Sequence, residues 1–294
     1  MLNSDQLLVF LAVIREGNTV GAARRLGLDH STVSRRLSAL EQALGTRLFD
    51  RSPRGLAPTE AAATLIGHAE RVESELILAA SSAGQQDTRI SGTVRLATPE
   101  IFGTLLVAPN VAELHERHPD LTLELAPESR SISLSKREAD IAITVRRPPR
   151  GRLVARKLVD YRLGLYAAPD YLASRDAIAS RTDLTSHAFV SYVDELVDYP
   201  ELLALNEARL GGKTVFRSSS SAAQLAAVAA GIGLGMLHCL AADDDSRITR
   251  VLSGEIEARR TYWLILHSDL QRVPRVRAVI EFLDDLVRRM QHRF

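Results

Sequence analysis

Apolar residues recur at helical spacing in three successive stretches at the start of the chain. Leu7, Phe10, Leu11 and Ile14 form the first, which Asn3 or Ser4 can cap and Gly17-Asn18 ends. Val20, Ala23 and Leu26 form the second. Gly27 ends it, because glycine takes a left-handed backbone position without a Cβ clash. Val33, Leu37, Leu40 and Leu44 form the third, with Asp29 as candidate N-cap and Gly45 as the stop. The last two stretches predict helix, tight turn, helix.

The polar side of the third helix follows from the same periodicity. At about 100° per residue its apolar centre lies between Val33 and Leu37. Arg35 then lies almost opposite, with Ser31, Thr32 and Ser38 beside it, while Ser34 and Arg36 flank the stripe. His30 sits at the helix start. These small or basic groups suit phosphates and base edges, the readout of a helix-turn-helix on DNA. An ordinary amphipathic helix with a solvated face fits this stretch alone equally well. Two short apolar pieces, Leu48-Phe49 and Leu56-Ala57, then flank Ser52-Pro53-Arg54-Gly55, which predicts a small hairpin. Carrying Arg51 and Arg54, it would be a wing reaching the backbone or minor groove; a plain surface turn is the other reading.

From Thr59 to about Ala83 the chain is Ala-rich and free of Pro. Leu65, Ala69, Val72, Leu76 and Ala79 fall at steps of four and three, a heptad-like stripe. A helix of ~20 residues spans about 30 Å. Leu65, Ala69, Val72 and Leu76 are assigned here to dimerisation, the alternative being that the helix packs on its own domain. Ser81 to Asp87 is a polar hinge.

Beyond the hinge, strand and helix patterns alternate. Thr93–Ala97, Leu121–Leu125, Ala139–Val145, Leu163–Ala167, Ala188–Ser191, Lys213–Phe216 and Tyr262–Leu266 read as strands. Phe102 to His118 reads as a helix stopped by Pro119, and Ala222 to Ala230 as another. Such alternation implies parallel α/β sheets, and ~200 residues suffice for two lobes.

Length, 294 residues, suggests about two domains, and 46% hydrophobic with 25% charged residues is a globular composition. Net charge is +1, so the whole chain does not advertise nucleic acid. Residues 20 to 55, however, hold seven arginines against three acids, on the predicted helix-turn-helix. Cys239 is the single cysteine, which excludes an internal disulfide and a Cys-based zinc site. Met1 to Gln6 lacks a basic segment leading into an apolar run, and no run is long enough to span a bilayer, so a cytoplasmic protein without a membrane partner is expected.

The order of parts resembles the LysR-type transcriptional regulators of bacteria. The resemblance runs through Leu7-Leu8-Val9-Phe10, Ala22-Ala23-Arg24-Arg25-Leu26, Val33-Ser34-Arg35-Arg36-Leu37, Leu48-Phe49-Asp50-Arg51 and Leu56-Ala57-Pro58-Thr59-Glu60-Ala61. It continues in Ile90 to Ala97, Ala139 to Ile143, Tyr166 to Leu172 and Ala230 to Leu237. It departs at His30, where the family often has Gln, at Ala62, where Gly is usual, and at His238, where Pro is common. The resemblance implies an α+β multidomain fold: a winged helix-turn-helix over 1–58, a linker helix and hinge over 59–90, and an α/β effector domain over 91–294. That domain would have two lobes, like type 2 periplasmic-binding proteins. Lobe I would take about 91–160 and 267–294, lobe II about 161–266, with the chain crossing near Leu158 to Leu163 and returning near His267. The resemblance also implies a homo-oligomer, a dimer assembling into a tetramer, with operator DNA as partner and RNA polymerase as a further one if the outcome is activation.

Two places offer donors for an effector. Thr98-Pro99-Glu100-Ile101 follows a strand and opens a helix, and Ser218-Ser219-Ser220-Ser221 does the same before Ala222. Helix N-termini with hydroxyls present N–H and O–H donors, and ligands of α/β sheets bind beyond the carboxyl ends of strands. By the resemblance, Thr98, Ser219 and Ser220 match positions that line the effector cleft, and Thr144 lies near a strand end facing it. The expectation is a small anionic organic effector between the lobes, although a carboxylate at Glu100 would repel an anion unless it points away. Simple capping explains any one of these residues as well. No cofactor, metal or catalytic residue is expected. The eight histidines form no defensible catalytic frame, and Asp243-Asp244-Asp245 reads as a solvated turn. Gly231-x-Gly233-x-Gly235 follows a helix rather than a strand, so it is not a dinucleotide loop. A solute-binding protein would leave the N-terminal winged helix unexplained, and a purely architectural DNA binder would leave ~200 residues of α/β sheet unexplained.

Overall fold

The computed structural model describes residues 2–52, 55–83, 90–127, 139–148, 153–193 and 212–294. Contacts divide the chain into two units, one built mainly from residues up to Arg89 and one from most of the chain beyond Ile90.

In the first unit α1 (Ser4–Glu16) starts with a full capping box, the Asn3 side chain accepting from Asp5 N–H while Gln6 reaches back to Asn3. Gly17 ends it at φ 71°. Asn18 then caps α2 (Thr19–Leu26), accepting from Gly21 N–H at 2.7 Å. Gly27, at φ 62°, turns the chain into α3 (His30–Leu44). Asp29 occupies the N-cap position of α3, but its side chain accepts no hydrogen bond there, correcting the expected cap. Its exposed carboxylate is left to water, which competes with capping. Val20 is a second correction: it is 49% exposed, and Ala22 joins Ala23 in the core instead.

Strands β1 (Phe49–Ser52) and β2 (Gly55–Pro58) pair antiparallel, with Ser52 opposite Gly55. The core joins Phe10, Leu11, Val33, Leu37, Leu40, Leu48 and Phe49, and the Phe10 and Phe49 rings are 5.7 Å apart. Helix α4 (Glu60–Ala83) follows. Ala62 and Ala69 are fully buried in this same core, and Leu65 and Val72 pack on it. An almost buried two-fold ion pair, Arg15 to Glu73 at 2.9 and 2.7 Å, also fixes α4 to α1. Ala69 therefore faces its own domain, which removes it from the proposed dimer stripe. A periodic stripe shows that a face is buried, not by what.

Among the described residues the second unit is built on one nine-stranded sheet. Strands β3 (Gly92–Thr98), β4 (Leu121–Pro127) and β5 (Ile141–Thr144) pair in parallel. So do β7 (Ala188–Ser191), β8 (Lys213–Arg217) and β9 (Leu234–His238). Two long strands, β6 (Leu153–Ala167) and β11 (Glu257–His267), run antiparallel to each other between these groups, with a register shift between Tyr262 and Trp263. The short β10 (Thr249–Val251) pairs with β6. The sheet is thus parallel within each group of three strands and antiparallel wherever β6 or β11 takes part, not parallel throughout. A chain that crosses between lobes and returns must run both ways.

The predicted helix over Phe102 to His118 is interrupted. Phe102–Val107 forms a π turn, Ala108–Asn110 a 3₁₀ turn, and only α5 (Val111–Arg117) is α-helical. Pro109 has no N–H to donate and its ring crowds the preceding turn, so the ladder changes register before it. Among the described residues the unit has four further α-helices: α6 (Pro169–Ala173), α7 (Ser221–Ala229), α8 (Cys239–Ala242) and α9 (Pro274–Arg289). Helix α9 buries Val276, Val279, Phe282, Leu283 and Leu286, the apolar stripe of a strongly amphipathic helix. Among the described residues no helix is long and apolar enough to cross a membrane.

Candidate functional site

Helix α3 turns Val33, Leu37 and Leu40 into the core, and its other side is left outward. His30, Ser31, Arg35 and Ser38 are exposed, and Thr32, Ser34 and Arg36 are half-exposed. Arg35 makes no ion pair among the described residues. Arg36 is held by Asp5 of α1 at 3.4 Å. The His30 imidazole is also tied: its Nε2 lies 2.7 Å from Thr19 Oγ1, joining the first residues of α2 and α3. The pattern of α3 alone gives no hint of that contact. Arg51 lies in β1 opposite Leu56. The other expected wing residue, Arg54, lies outside the described residues.

In the second unit the two expected effector segments meet each other. Glu100 follows β3, and its carboxylate points at the start of α7. Ser220 Oγ donates to Glu100 Oε1 at 2.8 Å, Ser221 N–H donates to Oε2 at 2.7 Å, and Ala222 N–H to the same oxygen at 3.4 Å. Ser220 also caps α7 by accepting from Ala223 N–H at 3.1 Å. Sequence reasoning missed two neighbours of this contact. Tyr192 Oη lies 3.0 Å from Ser221 Oγ, and the buried Gln224 donates to the Ser218 carbonyl at 2.8 Å. Burial first, and the charge of Glu100 in addition, push the Tyr192 phenol above its usual range, against the Ser221 hydrogen bond.

The remaining expected effector residues are placed differently. Thr98 is 3% exposed, and its Oγ1 has no hydrogen-bond partner among the described residues. That hydroxyl lies over Gly103, where an added Cβ would come within 2.2 Å of it. Pro99 opens the turn, its carbonyl accepting from Gly103 N–H at 3.0 Å. Ile101 is 2% exposed, a core residue rather than a contact for a ligand. Its side chain is apolar, and burial decides its direction. Thr144 donates to the Arg146 carbonyl at 2.7 Å, so its proton is spent on its own turn. Ser219 is half-exposed.

Where β6 and β11 cross, a ring stack fills the interior. Tyr161 stacks on Tyr262 at 4.0 Å and on His238 at 5.1 Å, and Phe102 meets Tyr262 edge-on. Tyr262 Oη lies 3.4 Å from His238 Nδ1. Burial alone drives the His238 pKa down to about 4, so the ring is neutral near pH 7. The acidic run is not simply a solvated turn either. Asp243 accepts from Tyr166 Oη, Asp244 pairs with Arg293, and Asp245 with Arg247.

A helix-turn-helix with a hairpin wing, and a two-group α/β sheet joined by crossing strands, define a DNA-binding head with a ligand-binding-type body. Residues 4–63 match the bacterial regulatory helix-turn-helix protein model of the lysR family. Residues 87–288 match the LysR substrate binding domain model. The chain belongs to the LysR family of regulators. It is 36% identical over 57% of its length to an HTH-type transcriptional regulator of Xanthomonas campestris. To the regulator CrgA of Neisseria meningitidis it is 31% identical over 65% of its length. These two alignments span 49% and 64% of the relatives themselves. LtrA of Klebsiella pneumoniae, a probable regulator by name, is 27% identical over 96% of this chain and 94% of its own. The solved structure of CrgA aligns with 97% of this chain and 99% of its own at a TM-score of 0.60 and 26% identity. Full-length OxyR of Pseudomonas aeruginosa, at 20% identity and a TM-score of 0.72 over 98% of each chain, shares the fold.

Proposed function

We propose that this chain is a sequence-specific DNA-binding transcriptional regulator controlled by a small organic effector held between the lobes of its second unit. The carrying observation is the outward face of α3: Ser31, Arg35 and Ser38 stand exposed on a helix whose opposite side is fixed in the core of the first unit. In this reading α3 enters the major groove, with His30, Thr32, Ser34 and Arg36 at its margins and Arg51 and Arg54 on the wing. Paired copies address two half-sites, with the exposed Leu76 of α4 at the centre of the pairing and Leu65 and Val72, which also pack on their own core, at its edge. A tetramer follows if two such pairs assemble, and RNA polymerase is a partner if the outcome is activation. The effector is an organic anion bound among Ser219, Ser220 and the residues around Thr98, where hydroxyls and a helix N-terminus favour negative charge.

The test is footprinting and gel-shift titration on the DNA upstream of the gene and its neighbour. Arg35→Ala is expected to lower operator affinity about tenfold or more, from losing ~1–3 kcal/mol of base contact, with unchanged circular dichroism. Unchanged affinity in that variant would remove α3 from the reading head.

A further inference from the structure

The start of α7 is already full. A helix leaves its first four N–H groups without partners inside the helix. Here all four have one. Ser220 N–H donates to Ser218 Oγ at 3.1 Å and Ala223 N–H to Ser220 Oγ at 3.1 Å. Ser221 and Ala222 N–H both donate to Glu100 Oε2. The Ser220 hydroxyl donates to the other carboxylate oxygen, Oε1. Glu100 belongs to the β3 side of the sheet and α7 to the β8 side, 120 residues on. A carboxylate thus sits where helix dipole, N–H groups and hydroxyl all favour one, and it is covalently part of the opposite lobe.

We propose that Glu100 is a tethered ligand: its carboxylate occupies the position a carboxylate effector takes, joins the lobes, and excludes a second anion until displaced. This rests on the proposed effector site and deepens it, because it names the effector's binding group as a carboxylate. None of these four N–H groups remains for an anion to use beside Glu100, and two carboxylates cannot share the same donors without repulsion. Binding is therefore an exchange of one carboxylate for another.

The exchange is testable without an identified effector, with acetate as the probe. Full-length protein and its Glu100→Ala and Glu100→Gln variants are unfolded thermally in sodium acetate, methylammonium chloride or sodium chloride at equal ionic strength. Circular dichroism follows secondary structure, and Trp263, the single tryptophan, reports on the second unit. Loss of the charge-assisted bonds is expected to lower the melting temperature of Glu100→Ala by roughly 3–6 °C. Acetate on the order of 50 mM is expected to restore at least half of that loss, while the unaltered protein responds to acetate no more than to chloride. A Glu100→Ala protein that melts like the parent, or that acetate stabilises no more than the parent, overturns the proposal. So does stabilisation of the parent alone by methylammonium, which would make Glu100 the partner of a cationic ligand. If Glu100→Ala does not fold, the acetate titration is read on Glu100→Gln, where a response above the parent's supports the proposal and an equal response overturns it. Neither DNA nor effector enters this experiment, so its failure leaves the regulator reading standing, and failure of the Arg35 test leaves the tethered carboxylate standing.

Discussion

Single residues here act through what they are tied to. His30 departs from the residue often found in the family at that position, and the structure gives it a partner in Thr19. With Nε2 in that hydrogen bond, Nδ1 is the ring atom that the proposed DNA contact would use. His238 is another departure, and its environment sets a pH dependence. Its imidazole titrates near 4 in the folded chain because burial disfavours the charged ring, against 6.5 when exposed. The unfolded chain therefore binds the proton more tightly. The stability due to the neutral ring is whole above about pH 6.5 and is lost as pH falls toward 4. Between pH 7 and pH 5 that amounts to about 2 kcal/mol. Urea unfolding of the parent and of His238→Phe at both pH values checks it, since the variant keeps a ring for the stack with Tyr161 but has no proton to gain. An equal pH dependence in the two would assign the acid loss elsewhere.

At the scale of elements, α4 is held more firmly to α1 than its stripe suggests. Arg15 is 6% exposed at its side chain, and both its terminal nitrogens bond the Glu73 carboxylate. Removing one partner of a buried pair leaves a charge with no solvent, which costs about 3–5 kcal/mol. Glu73→Ala is expected to lose most of that in thermal unfolding, with Glu73→Gln milder because an amide oxygen still accepts. A melting curve superimposable on the parent's would mean that water reaches Arg15. The π turn at Phe102–Val107 is the corresponding feature of the second unit. It keeps Phe102 on Tyr262 while Pro109 ends the segment, two demands that one regular α-helix over this stretch does not meet.

For the whole molecule the consequence concerns assembly. With Ala69 in its own core, the part of the α4 stripe left for a second copy is narrow, and Leu76 is 41% exposed on it. A large apolar side chain exposed on a helix whose Ala69 is buried and whose Leu65 and Val72 are half-buried is the expected centre of self-pairing. Leu76→Glu places like charges at that centre. Sedimentation should then show a smaller species, and operator affinity should fall by more than tenfold because the two half-sites are no longer bound together. Unaltered sedimentation would move the pairing surface off α4.

The parts legible in the chain are those fixed by near neighbours. Periodicity placed α1 and α3 and the turn of Gly27, because side chains three and four residues apart share a helix face and only glycine turns there without strain. Alternation found Leu121–Leu125 in the same way. The first half of β6 escaped notice, since its half-buried run from Leu153 to Asp160 shows no clean alternation. Only the tertiary structure decided what each buried face meets: Ala69 turned to its own domain, Ile101 into the core, and the Tyr161–Tyr262–His238 stack formed at the crossing. It also settled the question that Glu100 raises in sequence. Two helix starts rich in hydroxyls look like two anion sites as long as they are read separately. Folding brings the carboxylate of one onto the N–H groups of the other across 120 residues, a pairing that no local pattern encodes.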